Sequence, residues 1–146
     1  SQSRRERAKA LPAMQQSTQQ TPRGTDLEGD ALIAALAGKT LLNRYERAPG
    51  GKPGPYVVRQ HFAADGRFVF TDEPRVASWP GSHNGDDRWR VAGPRLCIQG
   101  PPASTRWRCF RMARTEGGAL QWFIDEPGDA FDGQLTIVTR EIIDGP

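Results

Sequence analysis

The chain has 146 residues, 36% of them hydrophobic and twelve aromatic, enough for one ordinary domain with a tail and too little for two. No apolar run approaches the ~20 residues of a membrane-spanning helix, and no secretory apolar stretch is present, so any export signal is expected to have been removed. The net charge of +3 conceals a segregation: residues 1–24 carry +4, residues 25–38 carry −3, residues 39–114 carry +8 and residues 115–146 carry −6. Such a dipolar surface can orient a charged partner but does not constrain the fold. Seventeen arginines against three lysines fit either a high-GC codon bias or selection for guanidinium chemistry.

Residues 1–24, with four cations near the start and the run Gln15-Gln16-Ser17-Thr18-Gln19-Gln20, are too polar to offset the entropy of ordering. They are expected to form a disordered basic, Gln-rich tail or tether, leaving residues 25–146 as a single domain. That domain opens with one short helix over 26–37. Thr25 or Asp26 can cap it, Asp26, Glu28 and Asp30 sit at its positive end, and Leu27, Leu32, Ile33 and Leu36 form an apolar stripe ended by Gly38.

From Lys39 onward the period changes to two. Expected strands are 40–47, 56–63, 67–72, 87–92, 95–99, 106–113, 120–125 and 135–143, separated by Pro- and Gly-rich turns. Asp65-Gly66 gives the clearest hairpin, a four-residue loop that places Phe62 and Phe68 on one face. Seven or eight short strands without intervening helices predict an all-β antiparallel meander, closing into a small barrel because an open edge invites aggregation. The helix would plug one end or lie along an edge. Alternation sends Trp89 and Val91 inward and Arg88 and Arg90 outward. It groups Trp107 with Cys109, opposite Arg106 and Arg108, and makes Leu120, Trp122 and Ile124 an inward set.

Cys97 and Cys109, the only cysteines, flank the loop 100–105 on neighbouring predicted strands. Their placement predicts one disulfide across a hairpin, and a disulfide in turn predicts a periplasmic or secreted protein.

Around Trp89-Arg90-Val91-Ala92-Gly93-Pro94-Arg95-Leu96-Cys97, followed by Cys109, the chain resembles a group of small exported bacterial domains. Gly38-Lys39-Thr40 after the helix and the central Asp65-Gly66 hairpin extend that likeness over roughly residues 27–124. The resemblance implies a lipocalin-like antiparallel barrel in the periplasm and brings no catalytic residues.

Reactive constellations are sparse. His61 is expected on an outward strand face and His83 in the loop 80–87. Ser82, adjacent to His83, would point away from it, and nothing brings the two histidines together on a metal. The acidic stretch 125–132 matches no calcium loop, and Gly38-Lys39-Thr40 lacks the upstream glycine of a phosphate loop. No enzyme, cofactor or metal site is therefore expected. The arginines Arg88, Arg90, Arg95, Arg106, Arg108 and Arg111, with Arg114 beyond them, lie on consecutive predicted strands. They form a candidate face for an anionic partner. Export argues against nucleic acid and for a protein partner or an anionic, membrane-associated complex.

The expected function is a non-enzymatic periplasmic accessory or binding domain that docks on a protein partner. The alternative is a lipocalin-like carrier of a small apolar ligand, with Phe68, Phe70, Trp89, Trp107 and Trp122 lining its cavity.

Overall fold

The computed structural model describes residues 22–75, 87–99 and 106–146. It contains ten strands and one α-helix: β1 (Thr25–Leu27), α1 (Gly29–Leu36), β2 (Lys39–Arg47), β3 (Pro53–Phe62), β4 (Arg67–Glu73), β5 (Asp87–Ala92), β6 (Arg95–Gln99), β7 (Trp107–Arg114), β8 (Leu120–Ile124), β9 (Leu135–Thr139) and β10 (Glu141–Asp144). All pairings are antiparallel, in the order β10-β2-β3-β4-β5-β6-β7-β8-β9. The meander and its near-closure into a barrel agree with the alternating pattern. Strands number ten rather than seven or eight because the expected strand 135–143 breaks at Arg140, and because residues 25–27 form a strand of their own.

The break at Arg140 brings the two ends of the sheet together. Before it, β9 pairs with β8 (Leu120↔Thr139); after it, β10 pairs with β2 on the opposite end of the strand order (Glu141↔Leu42). A single chain segment thus lies along both edges and leaves neither of them long and bare.

The helix starts later than the capping pattern suggests. Leu27 is taken into β1, which pairs with β7 through Leu27↔Met112, and Glu28 occupies the cap position without a side-chain cap bond. Ile33 is correspondingly on the solvent side, while Leu32 and Leu36 are fully buried. An eight-residue helix is marginal by itself; here Leu32 and Leu36 join Leu41, Phe62, Phe68, Trp89, Leu96, Met112, Leu120 and Trp122 in one core. The Gly29 N–H donates to Gly93 O in the β5–β6 turn. At the other terminus Gly38, at φ 77°, reverses the chain and donates to Phe62 O. Both bonds hold α1 across the end of the barrel where the β3–β4 and β5–β6 turns lie.

The β3–β4 hairpin is as the sequence predicts. Phe62 pairs directly with Phe68, their rings 5.1 Å apart edge to face, and Gly66 takes φ 96° in the loop between them. Trp89 stands against Phe62 at 5.4 Å and anchors its indole N–H on Ala63 O at 2.8 Å.

The tail boundary is also displaced. Of the expected tail, residues 1–21 lie outside the described residues, but residues 22–24 are packed on the outer face of β8. The Gly24 N–H donates to Gln121 Oε1 at 2.8 Å, Gln121 Nε2 donates to Pro22 O at 2.9 Å, and the Arg23 guanidinium covers the Phe123 ring at 4.1 Å. Gln121, fully buried on a strand's outer face, is satisfied by this strap.

Candidate binding surface

The barrel interior has two parts. Toward α1 it is apolar, with Phe62, Leu96, Leu120, Met112 and Trp122 each at or below 1% exposure. Toward the opposite mouth it becomes polar. Trp122 Nε1 donates to Thr139 Oγ1 at 3.0 Å, Thr139 Oγ1 donates to Asn43 Oδ1 at 2.8 Å, and Asn43 Nδ2 donates to Gln60 Oε1 at 2.9 Å. The chain of bonds runs across four strands, β8, β9, β2 and β3. Beside it the Tyr56 hydroxyl donates to Asp72 Oδ2 at 2.8 Å, and Tyr45 stacks on Tyr56. Burial pushes the Tyr45 phenol up.

Of the five aromatic residues expected to line a cavity, Phe68, Trp89 and Trp122 belong to this core and Phe70 packs against it. Trp107 does not. Its strand carries Phe110 and Met112 inward, so Trp107, Cys109, Arg111 and Ala113 share the outer face. Sequence alternation groups Trp107 with Cys109 correctly but assigns the pair to the wrong side. The inward cue of an aromatic residue is outweighed by the register fixed by Leu96↔Phe110 and Met112↔Trp122.

This register arranges the outer face of β5, β6 and β7 in rows. Arg88, Gln99 and Trp107 form one row, Arg90, Cys97 and Cys109 the next, and Ala92, Arg95 and Arg111 the third. Cys97 and Cys109 are direct cross-strand partners, joined as a disulfide with Cα atoms 4.1 Å apart. The Arg90 guanidinium lies over the Trp107 ring at 4.2 Å. Arg108, by contrast, shares the inward parity of Phe110 and sits opposite Ile98 toward the mouth, which corrects its expected outward placement.

The expected arginine face is partly neutralised. Asp125 follows β8, its amide donating to Cys109 O, so its carboxylate meets the third row. Asp125 Oδ2 accepts from Arg95 Nε and Arg111 Nε, each at 2.9 Å, and Glu126 Oε2 accepts from Arg106 Nη2 at 2.5 Å. Burial acts to raise the Asp125 carboxyl, but the hydrogen bond from Arg111 and the charges of Arg95 and Arg111 outweigh it and hold it below the usual carboxylate range. Among the described residues, Arg88, Arg90 and Arg108 make no ion pair.

The loop 125–134 that these arginines grip is itself closely braced. Gly133 N donates to Ile124 O, Glu126 N to Asp132 Oδ1, Phe131 N to Asp129 Oδ1 and Gln134 N to Phe131 O. At its tip Phe131 is 59% exposed, the most exposed large apolar side chain among the described residues. The sequence offers this stretch only as an acidic segment without a calcium-loop spacing, and Phe131 carries no signal there. The charge segregation foreshadows the pairing of this segment with the arginines, but choosing Asp125 and Glu126 as the partners requires the β7–β8 register.

His61 Nδ1 lies 3.0 Å from Thr40 Oγ1 across the β2–β3 ladder, and His83 lies outside the described residues. Among the described residues no three His, Cys, Asp or Glu side chains gather as a metal site, and no helix is long and apolar enough to cross a membrane. No family model, curated protein or solved structure matches the chain.

Proposed function

We propose that this protein is a non-catalytic binding domain of an exported compartment, docking on a protein partner through the outside of its barrel. The observation that carries this reading is the interior. Leu32 and Leu36 of α1 enter from one end to meet Phe62, Leu96, Leu120 and Trp122, all at or below 1% exposure, and a satisfied polar chain continues from Trp122 toward the other. Carriers keep an apolar cavity for their ligand; here the apolar volume is occupied by the protein's own side chains, which favours external binding over the carrier alternative.

The Cys97–Cys109 disulfide supports an oxidising address, periplasmic or extracellular. On the outer face Arg88 and Arg90 are exposed and, among the described residues, make no ion pair, which leaves them to meet an anionic group on the partner. Arg95, Arg106 and Arg111 instead serve the loop 125–134.

The test is affinity capture from periplasm or envelope with the disulfide-intact chain. A retained protein whose binding falls in high salt and on Arg88→Glu with Arg90→Glu supports the reading. Retention unchanged by the charge reversals removes the arginine face from it, and failure to retain any protein removes the docking role.

A further inference from the structure

We propose that the outer face of β5 receives an extended acidic segment of a partner protein whose carboxylates stand at alternate residues, one for Arg88 and one for Arg90. The proposal rests on the docking role given above and names the chemistry of the partner.

Phe68 and Trp89 point into the core, so alternation puts Arg67, Arg88 and Arg90 together on the outside. Arg67 and Arg88 are direct cross-strand partners, one of the two pairs in the register that joins β4 to β5. Like charges placed opposite each other weaken a ladder. Asp65 offsets part of this cost. Its carboxylate accepts from the Arg67 amide and from Arg67 Nε, and these bonds, with the charges of Arg67 and Arg88, hold it below the usual carboxylate range. Among the described residues Arg88 and Arg90 make no ion pair, and both are exposed. Three guanidiniums therefore stand against one carboxylate, and an incoming anion would relieve the imbalance.

The geometry selects that anion. Arg88 and Arg90 lie two residues apart on one strand, roughly 7 Å along its axis. An extended peptide has the same repeat, so carboxylates at positions i and i+2 share a face and fall in step with the two arginines. Carboxylates at i and i+3 point to opposite faces, and only one of them can reach the pair. The Arg90 guanidinium is already seated over the Trp107 ring at 4.2 Å, two strands away, so it has less freedom to lose on pairing. The same contact covers a ring face that a nucleic-acid base would need for stacking, which favours a peptide over a single-stranded nucleic acid.

Two labelled peptides of equal charge and composition test this on the full, disulfide-intact chain at low salt: Thr-Glu-Thr-Glu-Thr-Glu-Thr and Glu-Thr-Thr-Glu-Thr-Thr-Glu. Fluorescence anisotropy should show the alternating peptide binding about tenfold more tightly, the loss expected when one of two charge-assisted hydrogen bonds cannot form. Arg88→Gln leaves a single receiving arginine on β5 and should abolish the preference between isomers. Its melting temperature should not fall, because the Arg67–Arg88 repulsion goes with the charge. Equal affinity for the two isomers in the parent chain overturns the proposal. So does a preference that survives Arg88→Gln, tighter binding of a single-stranded oligonucleotide of equal charge, or no binding of either peptide at millimolar concentration. If affinity capture still retains a protein that Arg88→Glu with Arg90→Glu releases, the docking role stands and the alternating-carboxylate reading alone falls.

Discussion

Thr139 Oγ1 donates to Asn43 Oδ1 at 2.8 Å, and this bond spans the seam where the last strand before the break at Arg140 faces the first long strand of the sheet. Backbone pairing holds the sheet everywhere else; at the seam two buried side chains meet, and through Trp122 and Gln60 they tie β8 and β3 to the same chain of bonds.

Thr139→Val keeps the volume but removes the hydroxyl, leaving the Trp122 indole N–H and Asn43 Oδ1 without this partner. Each buried group left unsatisfied costs about 1–3 kcal/mol. Urea unfolding should show a midpoint lowered accordingly with an unchanged slope; a change below about 0.5 kcal/mol, the range of ordinary surface substitutions, would show that the seam does not depend on this contact.

Cys97→Ser with Cys109→Ser removes a crosslink that closes a short loop between direct cross-strand partners. The chain-entropy model gives about 3 kcal/mol for a loop of this size. The doubly substituted chain should unfold earlier by that order in urea while keeping a strand-dominated circular dichroism spectrum, because the core and the β6–β7 ladder are independent of the sulfurs.

Gly24→Ala tests the strap. A Cβ there would stand 2.1 Å from Arg114 O, a backbone atom with nowhere to yield. The strap should lift, exchanging its two hydrogen bonds with Gln121 for bonds to water at a net cost of about 0.5–1.5 kcal/mol for each bond. Exchange of the backbone amide at position 24 should accelerate in the variant; protection equal to that of the parent chain would contradict the packing.

Asp125 predicts a specific acid limb. Its folded carboxyl titrates below the ordinary range, so its contribution is fully present above the unfolded value, near 3.9, and is lost as pH falls through the lower folded value. Wild type should exceed Asp125→Asn by about 1 kcal/mol at neutral pH, given that Arg95 and Arg111 remain substantially exposed. That difference should begin to fall below about pH 4, vanish only below the lower folded value, and shrink with salt. A gap that persists in acid would assign the effect to packing instead.

Period-two alternation, the Asp65-Gly66 turn and the paired cysteines made the antiparallel barrel, the Phe62–Phe68 pair and the disulfide legible in the chain. What stayed hidden depended on contacts distant in sequence. Leu27 reads as helix stripe because its pairing with Met112 lies 85 positions away. Trp107 reads as core because its aromatic character outweighs, on paper, the register that turns it outward. The arginine face reads as free because its acids, Asp125 and Glu126, arrive from the next strand. Asn43, Gln60 and Thr139, polar residues at inward positions, break the alternation in the way a buried network must, yet nothing local reveals that they meet.

The most direct measurement is tryptophan emission of the native chain titrated with a series of small apolar ligands, followed by melting in their presence. A barrel filled by Phe62, Leu36, Leu96 and Trp122 should give no saturable change in emission and no rise in melting temperature. Saturable quenching with ligand-dependent stabilisation would mean that the interior opens to guests, and the carrier reading would replace external docking.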